Sequence, residues 1–448
     1  MTYVPNTLAE RAQMLKALGL RSMENLFADI PEEQRAASFD LPEGRSEWEV
    51  RRHLKHLADK NAVHLIQFLG AGFYDHFIPS AVDALVSRSE FYTAYTPYQP
   101  EVSQGVLQAL YEYQSCISRL TDMEVANASL YDGGTALYEA AMMAMRITGR
   151  RKIVVDGGVS PIYRKMLVCY TQNLSIELEE IRPSHGHSDR EQIVRHADDR
   201  TAAVILQNPN FFGAVDDFSD VIEQIHRVGA LAVVSVYPIS LGILRTPGAM
   251  GADIVTGEGQ SLGISLSFGG PYLGFMATRK RYVRKMPGRI VGRTHDTEGR
   301  QGFVLTLQAR EQHIRREKAT SNICTNQTLC ALRALIYLSL LGKQGLVEVA
   351  ELCATKAAYA QERLSQIPGV EVERSAPVFN EFTVYLPVDA GDVVGALIEK
   401  GFAAGFPLGR YYKGMEKALL VAVTEKRTKE EIGRLAEALE DVLRTAQI

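Results

Sequence analysis

The stretch GEGQSLGISLSFGGPYLGF, residues 257–275, places a glycine-rich turn between two apolar runs. ADIVTG, residues 252–257, leads into the turn, and YLGF, residues 272–275, ends it. Continuous apolar runs bounded by turn residues are typical of strands that are buried on both faces of a sheet. We therefore predict a strand on each side of the turn, with the polar residues GEGQS directly after the first strand.

Three earlier segments have the same character. They are RKIVVDGGVSP at 151–161, TAAVILQNPNFFG at 201–213 and GALAVVSVYP at 229–238. Helical patterns such as DVIEQIHRVG at 220–229 separate them. Apolar strands alternating with helices predict a largely parallel sheet that is covered on both faces. The fold class is therefore α/β.

The two ends of the chain differ from this middle part. Amphipathic helical spacing dominates the start and predicts a helical N-terminal arm over 1–69. The alternating pattern predicts a large α/β domain over 70–320. EFTVYLPV and ALLVAVTE are further strands near the C-terminus, each followed by a helical pattern. They predict a small α+β domain over 321–448.

Composition limits the classes of function. The net charge of −4 gives no electrostatic reason to expect nucleic acid or an anionic membrane surface as a partner. No apolar run approaches the roughly 20 residues that span a bilayer, and the N-terminus does not resemble a secretion signal. The five cysteines are scattered, which suits neither a disulfide framework nor a zinc site. We expect a cytoplasmic protein.

Generic site motifs are few. Gly133-Gly134-Thr135 precedes an apolar helical pattern, so it could cradle an anion at a helix N-terminus or simply form a turn and an N-cap. His185 and His187 have no further ligand at useful spacing, so we expect a solvated loop there and no metal site.

Two polar segments are unusual. FYTAYTPYQPEVSQG, residues 91–105, combines aromatic rings and prolines without helical or strand periodicity. Such a segment lines a pocket or an interface, unless it is an ordinary packed loop. TSNICTNQ, residues 320–327, gathers small polar groups before a helix and is either a site or an N-cap region.

These two segments, together with NASLYDGGTA at 127–136, GGPYLGF at 269–275 and GRIVGRT at 288–294, resemble the P-protein of the glycine cleavage system. That family consists of pyridoxal-phosphate-dependent glycine dehydrogenases (decarboxylating, aminomethyl-transferring). Members occur as one long chain or as two subunits. In length and motifs this chain resembles the N-terminal half, which is called subunit 1 or the α subunit.

The resemblance implies the pyridoxal-phosphate-dependent transferase fold, which is aspartate-aminotransferase-like. In that fold the cofactor lysine follows a strand and precedes a glycine-rich turn, where this chain has Gln260 or Ser261. Neither an amide nor a hydroxyl can hold the cofactor covalently as an amine does. The aspartate that would pair the cofactor ring is also absent from 234–236. We therefore expect no cofactor-binding residue in this chain, and we interpret Lys280 as surface charge.

The resemblance further implies that a lysine-bearing subunit 2 (β) holds the pyridoxal phosphate and that this chain lends side chains to the shared site. The first candidates for this contribution are Tyr95, Thr96, Tyr98, Gln99 and Glu101, and the second are Asn322, Thr325 and Asn326. Two alternatives remain. The chain could be a non-catalytic scaffold or regulatory subunit, or a free-standing enzyme that uses another lysine.

The implied reaction belongs to glycine catabolism and is classed with the oxidoreductases. Glycine is decarboxylated, and the aminomethyl group passes to the lipoyl group of the H-protein. Arg289, Arg293 and Arg300 either orient an acidic H-protein surface or form a solvated basic loop. We expect a heterotetramer with two copies of each subunit.

Overall fold

A computed structural model describes residues 5–36, 38, 40–92, 95–184, 186–267, 269–324 and 326–446. The chain divides into two compact units, Met1–Val63 and His64–Ile448. The predicted arm ends a few residues beyond the first unit. The predicted boundaries at 69/70 and 320/321 remain predictions.

The first unit is helical. It contains α1 (Leu8–Ala17), α2 (Glu47–Ala58) and two short 3-10 helices, Met23–Phe27 and Glu32–Gln34. Capping boxes begin both α-helices, because a hydroxyl and a carboxylate satisfy each other's free backbone N–H groups at Thr7 and Glu10 and again at Ser46 and Glu49. None of the described residues of this unit is buried.

The second unit contains the remaining elements. Its first part comprises β1 (Ile66–Gln67), α3 (Ser80–Val86), α4 (Ser89–Tyr92), α5 (Gln104–Thr121), β2 (Val125–Ala126), α6 (Gly133–Thr148), β3 (Lys152–Asp156), α7 (Pro161–Thr171), β4 (Glu177–Ile181), α8 (Arg190–His196), β5 (Thr201–Asn208), α9 (Ser219–Arg227), β6 (Leu231–Val236), α10 (Pro247–Met250), β7 (Ile254–Glu258) and β8 (Gly274–Thr278). Its second part comprises β9 (Ile290–His295), β10 (Gln301–Thr306), α11 (Gln312–Arg315), α12 (Thr328–Ser365), β11 (Glu371–Val372), β12 (Glu381–Tyr385), α13 (Ala390–Glu399), β13 (Phe402–Ala403), β14 (Phe406–Pro407), β15 (Ala418–Ala422) and α14 (Lys429–Ala446).

A 7-stranded sheet forms the centre of this unit, in the order β2-β8-β7-β6-β5-β3-β4. The pairs from β7 to β4 are parallel, whereas β8 is antiparallel to both of its neighbours. Neighbouring residues of a strand face opposite sides, so Val204 packs into one core with α5 and α9, and Ile205 packs into the other with α6. The predicted mainly parallel sheet, covered on both faces, is confirmed.

The strand expected at 272–275 begins later than the apolar pattern indicates. β8 starts at Gly274, because Pro271 has no N–H to donate and the N–H of Leu273 donates to the Glu258 carboxylate at 2.9 Å instead of to a neighbouring strand. The backbone of the turn thus hydrogen-bonds to the side chain of Glu258 and not to a neighbouring strand.

A separate 4-stranded antiparallel sheet has the order β11-β12-β15-β14. Its core contains Phe382, Leu397 and Leu435, so α13 and α14 cover it. The strands predicted near the C-terminus therefore lie outside the large sheet, as expected. Two smaller sheets are formed by β1 with β13 and by β9 with β10.

Helix α12 connects the two cores. It is long and apolar enough to cross a membrane by length and composition alone. However, Ala331 packs into the core of the large sheet and Leu364 into the core of the small sheet. Gly342 breaks the helix between them with a φ of 62°. We therefore interpret α12 as a core helix.

Candidate functional site

A small cavity lies where β5, β6 and β7 end. The carboxyl ends of parallel strands are the usual ligand-binding edge of an open α/β sheet, and the implied cofactor would lie here. The residues that line the cavity are Gly72, Tyr74, Ser160, Tyr163, Gln207, Pro209, Phe211, Gly213, Ser235, Val236, Tyr237, Glu258, Asn380 and Glu381. Its volume is about 30 Å³, which is room for about two water molecules.

Gln260 stands directly after β7, where the sequence placed the lysine position. Its side chain is fully engaged in binding the backbone of a neighbouring loop. The amide oxygen accepts from Tyr74 N at 2.9 Å, and the amide nitrogen donates to Tyr74 O at 3.1 Å and to Ile264 O at 2.7 Å. Gln260 therefore fastens the Tyr74 loop to the end of the sheet.

The N-terminus of α6 is occupied by a carboxylate of the chain itself. Glu258 Oε2 accepts from Gly133 N at 2.9 Å, and Glu258 Oε1 accepts from Gln260 N at 3.0 Å and Leu273 N at 2.9 Å. Burial raises the pKa of Glu258 to about 7. Asp132 caps the same helix by accepting from Thr135 N at 2.8 Å. Of the two interpretations of the Gly-Gly-Thr motif, the structure favours the N-cap.

A second buried carboxylate, Glu381, lies at the start of β12. It accepts from Ala71 N at 2.6 Å and from the Tyr74 hydroxyl at 2.8 Å. Burial raises the pKa of Glu381 to about 7. Among the described residues, neither Glu258 nor Glu381 has a cationic side chain within 4.0 Å, and no Lys, Arg or His lines the cavity.

A hydrogen-bonded relay reaches the cavity from the other side. Glu425 accepts from His76 Nδ1 at 2.7 Å, and His76 Nε2 contacts the hydroxyl of Tyr237, which lines the cavity. Cys353 Sγ lies 3.5 Å from Glu425 Oε2. The ligand atoms of His76, Cys353 and Glu425 all lie within 4.8 Å of one another, a grouping that the sequence did not indicate. The hydrogen bonds within the cluster account for its geometry without a metal ion.

Pyridoxal phosphate does not fit this cavity. The lysine position holds an engaged amide, and the place for a phosphate at α6 is filled by Glu258. The strand end that would carry the ring-pairing aspartate has Ser235. A ring that bears a phosphate also needs far more room than two water molecules, and two carboxylates would repel its negative charge. The cavity of this chain therefore lacks both the space and the chemistry for the cofactor.

Four of the five motifs that carried the resemblance, all except GGPYLGF, meet elsewhere, around Arg289. This side chain is only 5% exposed. Its guanidinium donates to the Tyr98 hydroxyl at 2.9 Å and to Cys324 O at 2.8 Å, and it lies 5.2 Å from the centre of the Tyr98 ring. Arg289 O accepts from Ala128 N at 2.8 Å, and Ser129 Oγ donates to Asn326 Oδ1. We call Tyr98, Ser129, Arg289, Cys324 and Asn326 the Arg289 junction.

The candidate site residues divide into two groups. Tyr98 and Asn326 belong to the junction, whereas Tyr95, Gln99, Glu101 and Asn322 are exposed and Thr96 is half-buried. Thr325, like His185, lies outside the described residues. None of the described candidates lines the cavity at the strand ends. The structure thus separates the small cavity at the strand ends from the Arg289 junction and the exposed candidate residues.

The expected surface role of Arg289 is wrong, because this arginine is buried beneath Tyr98. Arg293 is exposed, and Arg300 pairs with Asp296 at 2.9 Å and Glu298 at 2.7 Å. Sequence reasoning also missed Glu258 and Glu381. The available signals were two glutamates: Glu258 at the end of one apolar strand and Glu381 at the start of another.

The comparisons with known proteins extend over the full chain. The family model for the glycine cleavage system P-protein matches residues 1–439. A protein of Oleidesulfovibrio alaskensis named "Probable glycine dehydrogenase (decarboxylating) subunit 1" is 56% identical over 99% of this chain and 100% of its own length.

Two solved structures give the fold. The crystal structure of a glycine decarboxylase (P-protein) of the glycine cleavage system, in inhibitor-bound form, is 46% identical, with a TM-score of 0.93 over 99% of this chain and 100% of that chain. A Lactobacillus brevis glutamate decarboxylase, 14% identical with a TM-score of 0.68 over 94% of this chain and 97% of that chain, shares the fold alone. The expected pyridoxal-phosphate-dependent transferase fold is confirmed. On the evidence of the family model and the full-length relatives, this chain belongs to the glycine cleavage system P-protein family.

Proposed function

We propose that this chain acts as subunit 1 of a glycine dehydrogenase (decarboxylating). A lysine-bearing subunit 2 holds pyridoxal phosphate, the complex decarboxylates glycine, and the aminomethyl group passes to the lipoyl group of the H-protein. The observation that carries the proposal is Gln260. In a chain that matches the family along residues 1–439, it occupies the lysine position with all its hydrogen bonds engaged.

The bound cofactor supplies the electron sink for decarboxylation, and this chain contributes surface groups to the partner's site. Tyr95 and Tyr98 present exposed aromatic rings, 78% and 46% exposed, on a proline-braced segment. Rings that cover a flat ligand exclude water and strengthen nearby electrostatic interactions. Thr96, Gln99 and Glu101 supply hydrogen-bonding groups from the same segment, and Asn322, Thr325 and Asn326 from the second one.

Arg289 gives these two segments a common anchor. Its guanidinium donates to the hydroxyl of Tyr98 in the aromatic segment and to the carbonyl oxygen of Cys324 in the segment 320–327. A planar guanidinium with several fixed donors suits such a double contact better than a flexible ammonium. The segments are therefore held in a defined relation before any partner binds.

The assembly belongs to the same proposal. A heterotetramer of two α and two β chains places one lysine-bearing site beside each copy of this chain. A cytoplasmic location is supported by the five cysteines, which are all free, since disulfides are rare in a reducing compartment.

A second candidate function is a non-catalytic scaffold or regulatory subunit of the same complex. The small cavity at the strand ends favours it, because its lining residues do not fit a cofactor. The two functions differ in what the aromatic segment does. The scaffold function predicts normal turnover in any variant that still assembles with subunit 2.

The test uses the complex reconstituted with subunit 2 and lipoylated H-protein, and it measures release of CO2 from glycine. The Tyr95→Ala, Tyr98→Ala double variant should lose well over tenfold in activity while its sedimentation profile remains that of the wild-type complex. Tyr170→Ala, which removes another half-exposed ring far along the chain, is the matched control. Full activity of the assembled double variant would refute the shared site.

A further inference from the structure

A strongly basic stretch of the chain lies at residues 284–318. It contains nine Lys and Arg residues against four Asp and Glu residues, which is a charge of +5. The whole chain has a net charge of −4, so the other residues together carry −9. A local excess of one sign in a chain of the opposite sign creates a field that attracts oppositely charged partners. The stretch is therefore a candidate interaction surface.

The acids of this stretch do not neutralise its exposed cations. Asp296 and Glu298 both pair with Arg300, and the side chain of Glu311 is only 11% exposed. Glu317 alone is both exposed and without an ion pair in the described part of the chain. The exposed cations that form no ion pair with the described residues are Arg284, Lys285, Arg293, Arg315, Arg316 and Lys318.

Arg310 ties together the two segments that carry five of these cations. Its guanidinium donates to the carbonyl oxygen of Met286 and, at 3.0 Å each, to those of Gly288 and Leu307. Met286 directly follows the first segment, and the second segment directly follows Leu307. Arg293 lies on β9, outside these contacts. The other five we call the basic surface: Arg284, Lys285, Arg315, Arg316 and Lys318.

The second segment is held in a defined conformation. Leu307 and Arg316 bracket it with φ values of 55° and 53°. Such left-handed conformations strain residues that have a side chain, and they persist where the surrounding structure holds them. Arg310 supplies part of this support, and Arg315 Nε donates to Ala309 O at 3.1 Å. A surface that is already ordered loses little conformational entropy when a partner binds.

The basic surface borders the Arg289 junction. Gly288, whose carbonyl oxygen accepts from Arg310, directly precedes Arg289. On the second segment His313 lies edge-on to Tyr98, with 6.1 Å between the ring centres. Tyr98 belongs to the aromatic segment that the proposed function places in the shared site. A partner that docks on the basic surface is therefore held beside that site.

We propose that the basic surface docks the H-protein, the partner that carries the lipoyl group, through an acidic face of that protein. This inference rests on the proposed function and adds the surface that the lipoyl carrier recognises. A lipoyl group attached through an amide carries no charge, so the electrostatic attraction must come from the protein that bears it. Complementary charge speeds the encounter of two proteins and fixes their orientation.

The charge of the whole chain favours a compact acidic protein over a nucleic acid. A nucleic acid extends its negative charge along its full length, and beyond the basic stretch it would meet residues that together carry −9. A protein with one acidic face needs to cover only the basic surface. Nucleic acid is therefore the alternative that the experiment tests.

The experiment measures binding without glycine, so that catalysis does not enter. Fluorescently labelled, lipoylated H-protein is titrated with the complex of this chain and subunit 2, and its anisotropy is recorded. The triple variant Arg315→Gln, Arg316→Gln, Lys318→Gln should bind about tenfold more weakly than wild type at low salt. Raising the salt from about 0.05 to about 0.2 M should weaken the wild type more than the triple variant, because salt screens exposed charges.

A second variant changes the other segment. Arg284→Gln, Lys285→Gln removes two charges but no hydrogen bond within the described part of the chain, so it should fold even if the triple variant does not. It should weaken binding at least about threefold. The matched control replaces three exposed lysines that form no ion pair with the described residues and should bind like wild type: Lys343→Gln, Lys413→Gln, Lys429→Gln.

Steady-state release of CO2 from glycine gives a further readout. Both basic-surface variants should raise the KM for the H-protein and leave kcat within about twofold of wild type, because docking precedes chemistry. Wild-type affinity for the H-protein in both variants would overturn the docking surface and leave the proposed function standing.

The remaining outcomes are also distinct. A wild-type complex that binds the H-protein through the basic surface but releases no CO2 would refute the proposed function and not the docking surface. A labelled DNA or RNA duplex that binds the complex more tightly than the H-protein does, and loses its binding in the same two variants, would overturn the proposal in favour of nucleic acid.

Discussion

Arg289 donates a hydrogen bond of 2.9 Å to the hydroxyl of Tyr98, and its guanidinium lies 5.2 Å from the centre of the Tyr98 ring. The two residues are 191 positions apart in the chain. No carboxylate pairs with this buried arginine in the part of the chain that the structure describes, and its partners there are the ring and hydroxyl of Tyr98 and the carbonyl oxygen and thiol of Cys324.

Arg289→Lys should lower glycine decarboxylation by the reconstituted complex by about tenfold, the factor that 1.4 kcal/mol represents. Lysine keeps the charge, but it cannot donate to Tyr98 and Cys324 O from a planar fork. The aromatic segment would then lose its fixed position relative to the Thr320–Gln327 segment. Steady-state kinetics with subunit 2 and H-protein measure the change.

The control for this variant is Arg293→Lys, four positions further along the chain at an exposed position. It should leave the rate within about twofold of wild type. Because Arg289 acts through the residues it positions, Arg289→Lys should reduce kcat more than it changes assembly with subunit 2. Equal rates for both lysine variants would show that the junction has no catalytic consequence.

Restoring the lysine should not restore a cofactor site in this chain. In Gln260→Lys, Glu258 still occupies the N-terminus of α6 and the cavity stays too small for the ring. The purified chain should be colourless, and borohydride should fix no pyridoxal phosphate on it. Absorbance at the wavelengths of a bound cofactor, or a stoichiometric reduced adduct, would contradict the fit argued from Glu258.

The large sheet could be predicted from sequence because its strands are apolar on both faces. RKIVVD and TAAVILQN are continuous runs that only a doubly covered sheet accommodates. Gln260 could be placed for the same reason, since it directly follows such a strand. The late start of β8 could not be predicted, because it depends on the side chain of Glu258 accepting from Leu273 N across the turn.

The residues that form the cavity and the Arg289 junction were harder to predict from the sequence. Arg289 looked like a member of a basic loop, and only tertiary packing buries it beneath Tyr98. Glu258 and Glu381 come from strands of different sheets, so no spacing in the sequence brings them together. The aromatic segment was identified by its composition, but composition does not say which of its side chains has a partner.

Gln260→Ala should destabilise the chain by about 2–4 kcal/mol. The substitution removes three hydrogen bonds and leaves Tyr74 N and Ile264 O without their side-chain partner, and each unsatisfied buried polar group costs about 1–3 kcal/mol. Gln207→Ala is the control, because its amide also lines the cavity but, among the described residues, makes only one hydrogen bond, accepting from Ser160 N at 2.9 Å. Urea unfolding should rank Gln260→Ala clearly below Gln207→Ala, and the reverse order would contradict the fastening role of Gln260.

The stability of the chain should depend on pH through Glu381. Burial raises the pKa of this carboxyl from its ordinary value of 4.5 to about 7. Between these values the folded chain binds more protons than the unfolded chain, so the contribution of Glu381 to the free energy of unfolding is fully present below about pH 4.5 and is lost as the pH rises through about 7.

Glu381→Gln cannot titrate. The free energy of unfolding of the wild type minus that of Glu381→Gln should therefore fall as the pH is raised from about 5 to about 7, at up to about 1.4 kcal/mol per pH unit, and level off above that range. A difference that is independent of pH would mean that Glu381 has the same pKa in the folded and unfolded chains, which its contacts with Ala71 N and the Tyr74 hydroxyl in a buried site argue against.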